Sequence, residues 1–536
     1  FSVFIGFIDI AMRSKHIFYK NMAFGFAVCY IFQILLNIGG ATKFIPSTGV
    51  TLPLVSYGLS SVTSTLIIFQ IIQGINIITT REAEKIEREK EKILLAGESP
   101  EFSPTGKRRG EQNKIANRPI LLVTYVITGI FLLMIGYICK FMIVDSQTVI
   151  ANSYNTRQDK LAERVIRGDI VSGDGVVLAT NQYADDGSYI RYYPYGNMYA
   201  HAVGYDKYGK SGVELTANYY LLTSNANIFE RTVKALKEEK NMGDTIVTTL
   251  DTRLQTAAYN ALGDGRGAVV VMEPDTGKIL AMVSKPDFDP NSIDDVWQAV
   301  SDGTAWDNSI LLNRATQGLY PPGSTFKVLT ALEYMRENSN WEGYHFNCQG
   351  EDTFNNVTIH CYNSTVHGDV SLADSVAYSC NTSFANIGMT LNMDSFHKLC
   401  EDFLFNQNLP YGGTYTKSSF VLNGSSDKSL IPQTVIGQGD TQISPLHNAL
   451  IMSTMANGGV MMKPYLVDSI ENYQGVNVKR FSPSAYKRII SADEAAQMTE
   501  LMKGVITYGT GSVLNTDAYT VCLLYTSPSP RDRSLS

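Results

Sequence analysis

Long runs of uncharged residues constrain the fold of this 536-residue chain more than any other feature. Residues 119–139 form a run of 21 residues without a charge, enough for a helix to cross a bilayer. Residues 22–38 form a second such run, and residues 44–80 a third, whose first half is broken by prolines and glycines. The sequence therefore predicts membrane-spanning helices at 22–38, at about 59–78 and at 119–139. The opening FSVFIGFIDIA is typical of the end of another span that begins upstream.

Charge is distributed unevenly about a net value of −7. Residues 1–144 carry 15 Lys and Arg against 9 Asp and Glu (+6), which leaves 29 against 42 (−13) for the rest. Basic residues concentrate at 13–20 and 81–118, and such loops stay cytoplasmic. We therefore expect a multi-pass membrane protein, with everything after about residue 145 outside. The acidic remainder argues against nucleic acid as a partner.

The exported part contains both the alternating hydrophobic pattern of strands and the hydrophobic spacing of amphipathic helices. RGDIVSGDGVVLAT alternates and turns like strands, and GAVVVMEPDTGKILAMVS is typical of a hairpin that turns at EPDTGK. SADEAAQMTELMKGVI has the spacing of an amphipathic helix. The sequence therefore predicts an α-helical membrane segment followed by an exported α+β region.

A serine and a lysine follow an irregular turn in GLYPPGSTFK (318–327). Prolines and glycine exclude a helix there, whereas TFKVLTALEYM has helical spacing, so Ser324 is expected at a helix start. Lys327 lies one turn later on the same face and is a candidate base for a serine nucleophile. The alternative is a capping serine with an incidental lysine, since about two Ser-x-x-Lys matches arise by chance in such a chain.

A second serine motif occurs at YSCN, where Ser379 and Asn381 flank Cys380. Ser-x-x-Lys followed by Ser-x-Asn is a pair of motifs found in penicillin-binding proteins and serine β-lactamases. RATQGLYPPGSTFK, SVAYSCNTSF, IGQGDTQISPLHNALIMSTMANGG and TLDTRLQTAAYNAL resemble the transpeptidase half of class B penicillin-binding proteins, and RGDIVSGDGVVLA and YGKSGVE resemble the pedestal before it. The resemblance covers about residues 115–521. It implies the penicillin-binding transpeptidase fold, an antiparallel sheet flanked by helices, on a β-rich pedestal.

The resemblance also implies an activity. The substrate would be a peptidoglycan stem peptide ending in D-Ala-D-Ala, β-lactams would bind at the same site, and no cofactor is required. Lys327, desolvated and neutral, would take the proton of Ser324, and Ser379 would relay protons to the leaving amine. Asn381 would hydrogen-bond the substrate backbone, and the backbone N–H of Ser324 would be one oxyanion donor.

The membrane part carries a resemblance of its own. NIGGATKFIPSTGVTLPLVSYGLSS (37–61) resembles the last extracytoplasmic loop and final helix of SEDS peptidoglycan polymerases of the RodA/FtsW type, although Leu59 departs from their usual SYGGSS. The resemblances therefore imply a truncated C-terminal part of a SEDS polymerase fused to a transpeptidase in a bacterial cell membrane, with lipid II and other cell-wall synthesis proteins as partners. The catalytic aspartate of that family lies in an earlier loop that this sequence does not contain.

A third family motif, Lys-Thr-Gly, is expected after NTDAYTV but is not present there. GTG at 509–511 cannot replace it because Tyr508 precedes it without a cation. The ending CLLYTSPSPRD resembles a translated sequencing adapter, so we expect Cys522 onward to be non-native and acylation by this truncated chain to be weak. Recovery of that ending from genomic DNA would disprove this expectation.

The cysteines and one nucleotide-binding pattern are two further candidates for functional sites, and the sequence argues against both. Seven cysteines form no C-x-x-C pair and no His/Cys cluster at metal-ligand spacing, so the sequence predicts no metal site. Cys348 and Cys361 would either pair outside the cell or remain free, and His360 and His367 beside Cys361 are expected to be solvated or in the core. GYDKYGKS (204–211) fits a P-loop, but an exported segment meets no nucleotide pool.

Several functional alternatives stay open. A β-lactamase or D,D-carboxypeptidase would share the acylation step and pass the acyl group to water, whereas a scaffold or β-lactam sensor would not turn over. The sequence leaves open whether the protein acts in elongation, division or sporulation.

The predicted domains are SEDS helices (1–80), a cytoplasmic linker (81–118), a transmembrane anchor (119–144), a pedestal or dimerisation-like domain (145–245), an incomplete transpeptidase domain (246–521) and a non-native tail (522–536).

Overall fold

The computed structural model describes residues 2–41, 59–95, 104–142, 165–185, 187–225, 237, 240–307, 309–518 and 520–522. The chain divides into two compact units, Phe1–Ile150 and Ala151–Ser536.

The first unit is helical. Its helices are Ser2–Arg13, Ile17–Ala41, Leu59–Leu95 and Pro104–Lys140. Within the described residues, three segments are long and apolar enough to cross a membrane: Ile17–Gly39, Val62–Glu89 and Arg118–Lys140. The helices predicted at 22–38, 59–78 and 119–139 are therefore confirmed as helices.

Two of these helices extend beyond the predicted spans. The charged stretch after residue 80 continues the helix Leu59–Leu95 without interruption, because its Glu, Lys and Arg residues are good helix formers in water. The helix Pro104–Lys140 likewise begins well before Arg118. Residues 44–58, where prolines and glycines break the third uncharged run, lie outside the described residues, as do residues 96–103 of the predicted cytoplasmic linker.

The second unit contains a six-stranded mixed sheet. Its order is Asn477–Arg480, Val467–Glu471, Thr245–Thr248, Ile170–Val171, Val177–Tyr183 and Tyr189–Tyr192. Ile170 and Ile246 pair in parallel, whereas the neighbouring pairs are antiparallel. The strands predicted in RGDIVSGDGVVLAT are confirmed. The predicted boundary after residue 245 falls within a strand, so one sheet draws strands from both predicted domains.

A buried ion network stabilises the pedestal. Glu214 accepts hydrogen bonds from Arg167 Nε at 2.6 Å and from Arg191 Nε at 2.7 Å, and its side chain is fully buried. Glu214 belongs to the short helix Gly212–Thr216, for which Ser211 is the N-terminal cap residue. The end of the P-loop-like pattern is therefore the start of this structural helix.

The remainder of the second unit packs around several hydrophobic clusters, the largest of which forms a core around the helix Lys327–Glu337. Its other strands pair as Val165–Ile166 with Asn241–Met242, Gly267–Met272 with Ile279–Lys285, His345–Cys348 with Gly368–Ser371, Glu351–Phe354 with Val357–His360, and Val460–Met462 with Ala485–Arg488. Its other helices are Asn218–Leu221, Thr252–Leu262, Ile293–Ser301, Lys327–Glu337, Leu372–Ala377, Asn381–Thr390, Met393–Asp402, Ile431–Thr434, Pro445–Ala456 and Ala492–Thr507. The predicted hairpin over GAVVVMEPDTGKILAMVS and the amphipathic helix over SADEAAQMTELMKGVI are both confirmed.

The helix Lys327–Glu337 runs through this core. Most of its residues are buried, which explains why its apolar positions extend around much of its circumference. Phe326, just before it, stacks on Phe420 at 5.6 Å and meets Phe405 edge-on at 5.7 Å. This packing holds the first turn of the helix in place.

Candidate active site

The segment GLYPPGSTFK forms a turn that leads into the helix Lys327–Glu337. Gly323–Phe326 is a 3₁₀ turn, and the α-helix begins at Lys327. Ser324 is half-buried within that turn. The prediction of a proline turn leading into a helix is confirmed, with the refinement that Ser324 lies in a tighter turn before the α-helix.

A second segment, residues 435–443, holds this turn from the side. The Gly323 N–H donates to the carbonyl of Gly437 at 2.8 Å, and Tyr320 and Ile443 exchange backbone hydrogen bonds of 3.0 and 2.8 Å. Gly437 has a φ of +78°, and a Cβ there would lie 2.0 Å from the carbonyl oxygen of Gly323. Only glycine permits both this backbone conformation and this approach.

The amine of Lys327 is buried among oxygen acceptors. The residue is 1% exposed, and Nζ donates to Ser379 O at 2.8 Å, to Ser379 Oγ at 3.1 Å and to Asn381 Oδ1 at 2.6 Å. Burial lowers the pKa of Lys327 from its usual 10.5 to about 7, because a cation is poorly solvated there. Near neutral pH, a substantial fraction of this amine is therefore uncharged.

Ser379 occupies a strained position opposite this amine. Its φ is +52°, in the left-handed region that non-glycine residues rarely adopt. The loop is held because Ser379 N–H donates to Val376 O at 3.1 Å and Cys380 N–H donates to Ser375 O at 2.9 Å. Strain of this kind persists where surrounding contacts hold it, and it concentrates at functional sites.

Asn381 begins the helix Asn381–Thr390. Its amide nitrogen donates to the carbonyl of His360 at 2.8 Å, and its oxygen accepts from Lys327. An amide retains one further N–H and one further lone pair after these two bonds. The side chain is therefore oriented by the protein and still has capacity for a ligand.

The structure brings together three of the four predicted site residues directly. Lys327, Ser379 and Asn381 are joined by hydrogen bonds, and Ser324 lies one turn before Lys327. Among the residues that the structure describes, the Lys327 amine is hydrogen-bonded to Ser379 and Asn381 rather than to Ser324. The roles assigned to these four side chains remain predictions.

A group of sulfur and nitrogen atoms adjoins the Ser379 loop. Cys348, Cys361, His367 and Cys380 each have one ligand-type atom in this group, and the four atoms all lie within 4.8 Å of one another. The Cys348 and Cys361 sulfurs lie 3.7 Å apart as free thiols. The sequence spacing did not reveal this group, because it is assembled from separate hairpins and a helix end.

Three stretches of the chain match known protein families. Family models match residues 267–522 as "Penicillin binding protein transpeptidase domain", residues 167–246 as "Penicillin binding protein A dimerisation domain" and residues 1–81 as the FtsW/RodA/SpoVE "Cell cycle protein". The protein named peptidoglycan D,D-transpeptidase PbpA of Mycobacterium tuberculosis is 31% identical over 396 residues, which cover 67% of this chain and 78% of that protein. Peptidoglycan D,D-transpeptidase MrdA of Acinetobacter baumannii is 28% identical over 379 residues, covering 62% and 55%.

Solved structures agree with these matches. Penicillin-binding protein A of M. tuberculosis, as its imipenem acyl-enzyme complex, superposes with a TM-score of 0.58 at 30% identity, covering 64% of this chain and 82% of that one. The D,D-transpeptidase domain of a peptidoglycan glycosyltransferase from Eggerthella lenta superposes with a TM-score of 0.59 at 31% identity, covering 67% and 85%. The predicted fold class is confirmed.

The close approach at Gly437 yields a test of how the Ser324 turn is held. Gly437→Ala should destabilise the protein by roughly 2–4 kcal/mol, because the new methyl group overlaps the Gly323 carbonyl in an unfavourable backbone conformation. Thermal unfolding of the full chain in detergent should show a midpoint lowered by roughly 2–5 °C. The matched control is Gly412→Ala, whose Cβ would meet nothing within 4 Å. Equal midpoints for the two variants would contradict this account.

Proposed function

Because this chain belongs to the penicillin-binding protein transpeptidases, we propose that it cross-links peptidoglycan stem peptides with Ser324 as the acylated nucleophile. The observation that carries this assignment is the buried Lys327 amine, which lies one helical turn from Ser324 and is bound to both Ser379 and Asn381. An uncharged amine beside a serine is what an acyl-transfer site requires.

The proposed reaction has two steps. The Ser324 oxygen attacks the carbonyl between the last two residues of a stem peptide ending in D-Ala-D-Ala. An acyl-serine ester forms, and the terminal D-Ala leaves with a proton on its amine. The amine of a neighbouring strand then attacks the ester, loses a proton, and restores the serine as the cross-link forms. A β-lactam acylates the same oxygen when its ring opens, as in the imipenem complex of the mycobacterial relative.

Proton transfer follows from the hydrogen bonds of Lys327. As an ammonium, Lys327 has three hydrogens for three acceptors, which the observed geometry satisfies. As a neutral amine it has two hydrogens and one lone pair, and the Ser379 hydroxyl can then donate to that lone pair. The same arrangement therefore accommodates both protonation states with one hydroxyl rotation, which suits Ser379 to relay a proton.

Asn381 is proposed to bind the substrate backbone. Its two bonds to Lys327 and His360 fix the amide plane, and the remaining N–H and lone pair can pair with a peptide group. Because the side chain is already ordered, substrate binding costs less side-chain entropy.

The chain is associated with the membrane through its first unit, and we propose that it is multi-pass with the transpeptidase outside. The three apolar helices and the match of residues 1–81 to the FtsW/RodA/SpoVE family support this arrangement. We further propose that residues 1–80 come from a lipid II-polymerising SEDS enzyme fused to the transpeptidase. Such a fusion would keep new glycan strands at high effective concentration near the acyl-enzyme. Equal cross-linking by full-length fusion and separate halves would contradict that benefit.

Covalent labelling tests the nucleophile. Any penicillin mass that the purified full chain gains in detergent should be located on the peptide that contains Ser324, and Ser324→Ala should gain none. Ser425→Ala, a change at an exposed serine, is the control and should label to the same extent as wild type. A label that persists through purification excludes a β-lactamase, whereas rapid loss of the label identifies one. Labelling of Ser324→Ala at the wild-type rate would refute the assignment.

Acylation should depend on pH through Lys327. The pKa of about 7 means that the neutral base is depleted as the pH falls, about tenfold for each unit below 7. The second-order rate of penicillin acylation should therefore be about a hundredfold lower near pH 5 than near pH 8, with a plateau above. Stopped-flow measurements with a fluorescent penicillin give this profile. A flat profile across that range, with the protein folded throughout, would exclude Lys327 as the base.

Cysteine labelling tests the topology. Asp185→Cys in the pedestal should react with a membrane-impermeant maleimide in intact cells, whereas Glu89→Cys should react only after lysis. Both positions are exposed in the structure, so accessibility of the side chain itself is matched. Labelling of the unsubstituted chain measures the background from its own cysteines. Labelling of Glu89→Cys in intact cells would reverse the proposed orientation.

A further inference from the structure

A cavity of about 430 Å³ lies within the second unit, between the pedestal and the transpeptidase domain. Residues from 201–220 of the pedestal form one wall, and residues from 311–317, 411–414 and 464–481 of the transpeptidase domain form the others. Small-molecule sites in proteins commonly have volumes of roughly 300–1,000 Å³. None of the four candidate active-site residues lines this cavity, so it is a separate space that the proposed acyl transfer does not use.

Three polar side chains of the cavity wall have hydrogen-bonding groups that the protein leaves unused. Thr316 is 1% exposed, and its hydroxyl has no hydrogen-bond partner among the described residues. Within the same part of the chain, the hydroxyl of Tyr411 and the amide nitrogen of Gln317 also have none. Buried polar groups in native proteins are normally paired, so a group of unpaired ones around a cavity indicates a place for water or a ligand.

The charge of the cavity wall comes from Lys210, which is half-buried. No Asp or Glu side chain lines the cavity, and no carboxylate among the described residues forms an ion pair with the Lys210 amine. His201 also lines the cavity, but burial lowers the pKa of this imidazole to about 4, so it is neutral at physiological pH. A partly desolvated cation without a counter-charge is stabilised when an anion binds beside it.

The loop that carries Lys210, which is the P-loop-like segment, is fixed to the transpeptidase domain. Asp294 of that domain accepts hydrogen bonds from Lys207 Nζ at 2.5 Å and from the Tyr208 hydroxyl at 2.8 Å. The Tyr208 ring stacks on Trp297 with 5.0 Å between centroids and an interplanar angle of 7°. Lys210 itself has a φ of +63°, which non-glycine residues rarely adopt. The backbone that carries the cation is therefore held in place before any ligand binds.

Aromatic rings make up much of the apolar part of the wall. They are contributed by Tyr205, Tyr220, Tyr411, Tyr465 and Phe481. A Cβ at Gly413 would lie 2.6 Å from the Tyr411 ring, so the absence of a side chain at Gly413 lets this ring pack there. An aromatic ring packs against the C–H face of a pyranose through dispersion and weak C–H contacts. The wall therefore suits a ligand with a hydroxylated ring.

We propose that this cavity binds a small sugar that carries one carboxylate. The carboxylate pairs with Lys210, and the pyranose ring packs against the tyrosine rings. Oxygen atoms on the sugar accept hydrogen bonds from Thr316, Gln317 and Tyr411. A single lysine balances the one charge of a carboxylate, whereas a phosphate monoester carries about −1.5 to −2 at pH 7. The lining therefore favours the carboxylated sugar over a phosphorylated one.

Isothermal titration calorimetry on the full chain in detergent tests the site, with N-acetylmuramic acid, a carboxylated sugar of peptidoglycan, as the probe. We expect one saturable site per chain. N-acetylglucosamine, which lacks the lactyl group and its carboxylate, should bind about tenfold more weakly or worse.

Substitutions in the wall should weaken this binding. Lys210→Gln, which keeps most of the side-chain length and removes the charge, should weaken it about tenfold. Tyr411→Phe, which keeps the ring and removes the hydroxyl, should weaken it about threefold. The matched control is Lys398→Ala, which removes an exposed lysine outside the cavity wall and should leave the affinity unchanged.

The wild-type titrations decide the question even if a variant fails to fold. Absence of saturable binding up to about 10 mM probe would overturn the proposal, as would equal affinity for N-acetylglucosamine. Inorganic phosphate that binds as tightly as N-acetylmuramic acid would refute a carboxylated sugar as the ligand class. Displacement of the probe by penicillin would place it at the Ser324 site and would also overturn the proposal. Because Ser324→Ala should bind the probe as wild type does, failure of the nucleophile assignment leaves this test unaffected.

Discussion

Burial of one amine is the constraint on which the site depends. Lys327 is desolvated by the core around its helix, and this desolvation lowers its pKa into the range where it can accept a proton. An amine so placed needs hydrogen-bond partners, because an unpaired buried polar group is costly. Ser379 and Asn381 supply those partners, which ties the second motif to the first.

The site is assembled from segments that are distant along the chain. The turn that contains Ser324 is held by residues 435–443, and the Ser379 loop contacts the Lys327 amine from another direction. Each segment is locally irregular: a proline turn, a left-handed serine and a glycine with positive φ. Surrounding core packing stabilises these unfavourable conformations, and the candidate site lies beside the largely buried helix Lys327–Glu337.

Cys348, Cys361, His367 and Cys380 lie together beside Ser379 and Asn381. The Cys361 and Cys380 sulfurs are 3.7 Å apart, and the His360 carbonyl accepts a hydrogen bond from Asn381. The hairpin Glu351–His360 therefore contacts the segment that carries Ser379 and Asn381.

The sequence by itself determined the helical character of the first unit, the hairpin at 267–285, the helix after the proline turn and the family of the exported part, because these depend on local periodicity and contiguous motifs. Only the tertiary structure decided which groups bind the Lys327 amine and how Gly437 fits against Gly323. It alone also brought together Cys348, Cys361, His367 and Cys380, which are 13, 6 and 13 positions apart. Strand pairing creates these contacts between distant residues, and no local pattern in the chain encodes them.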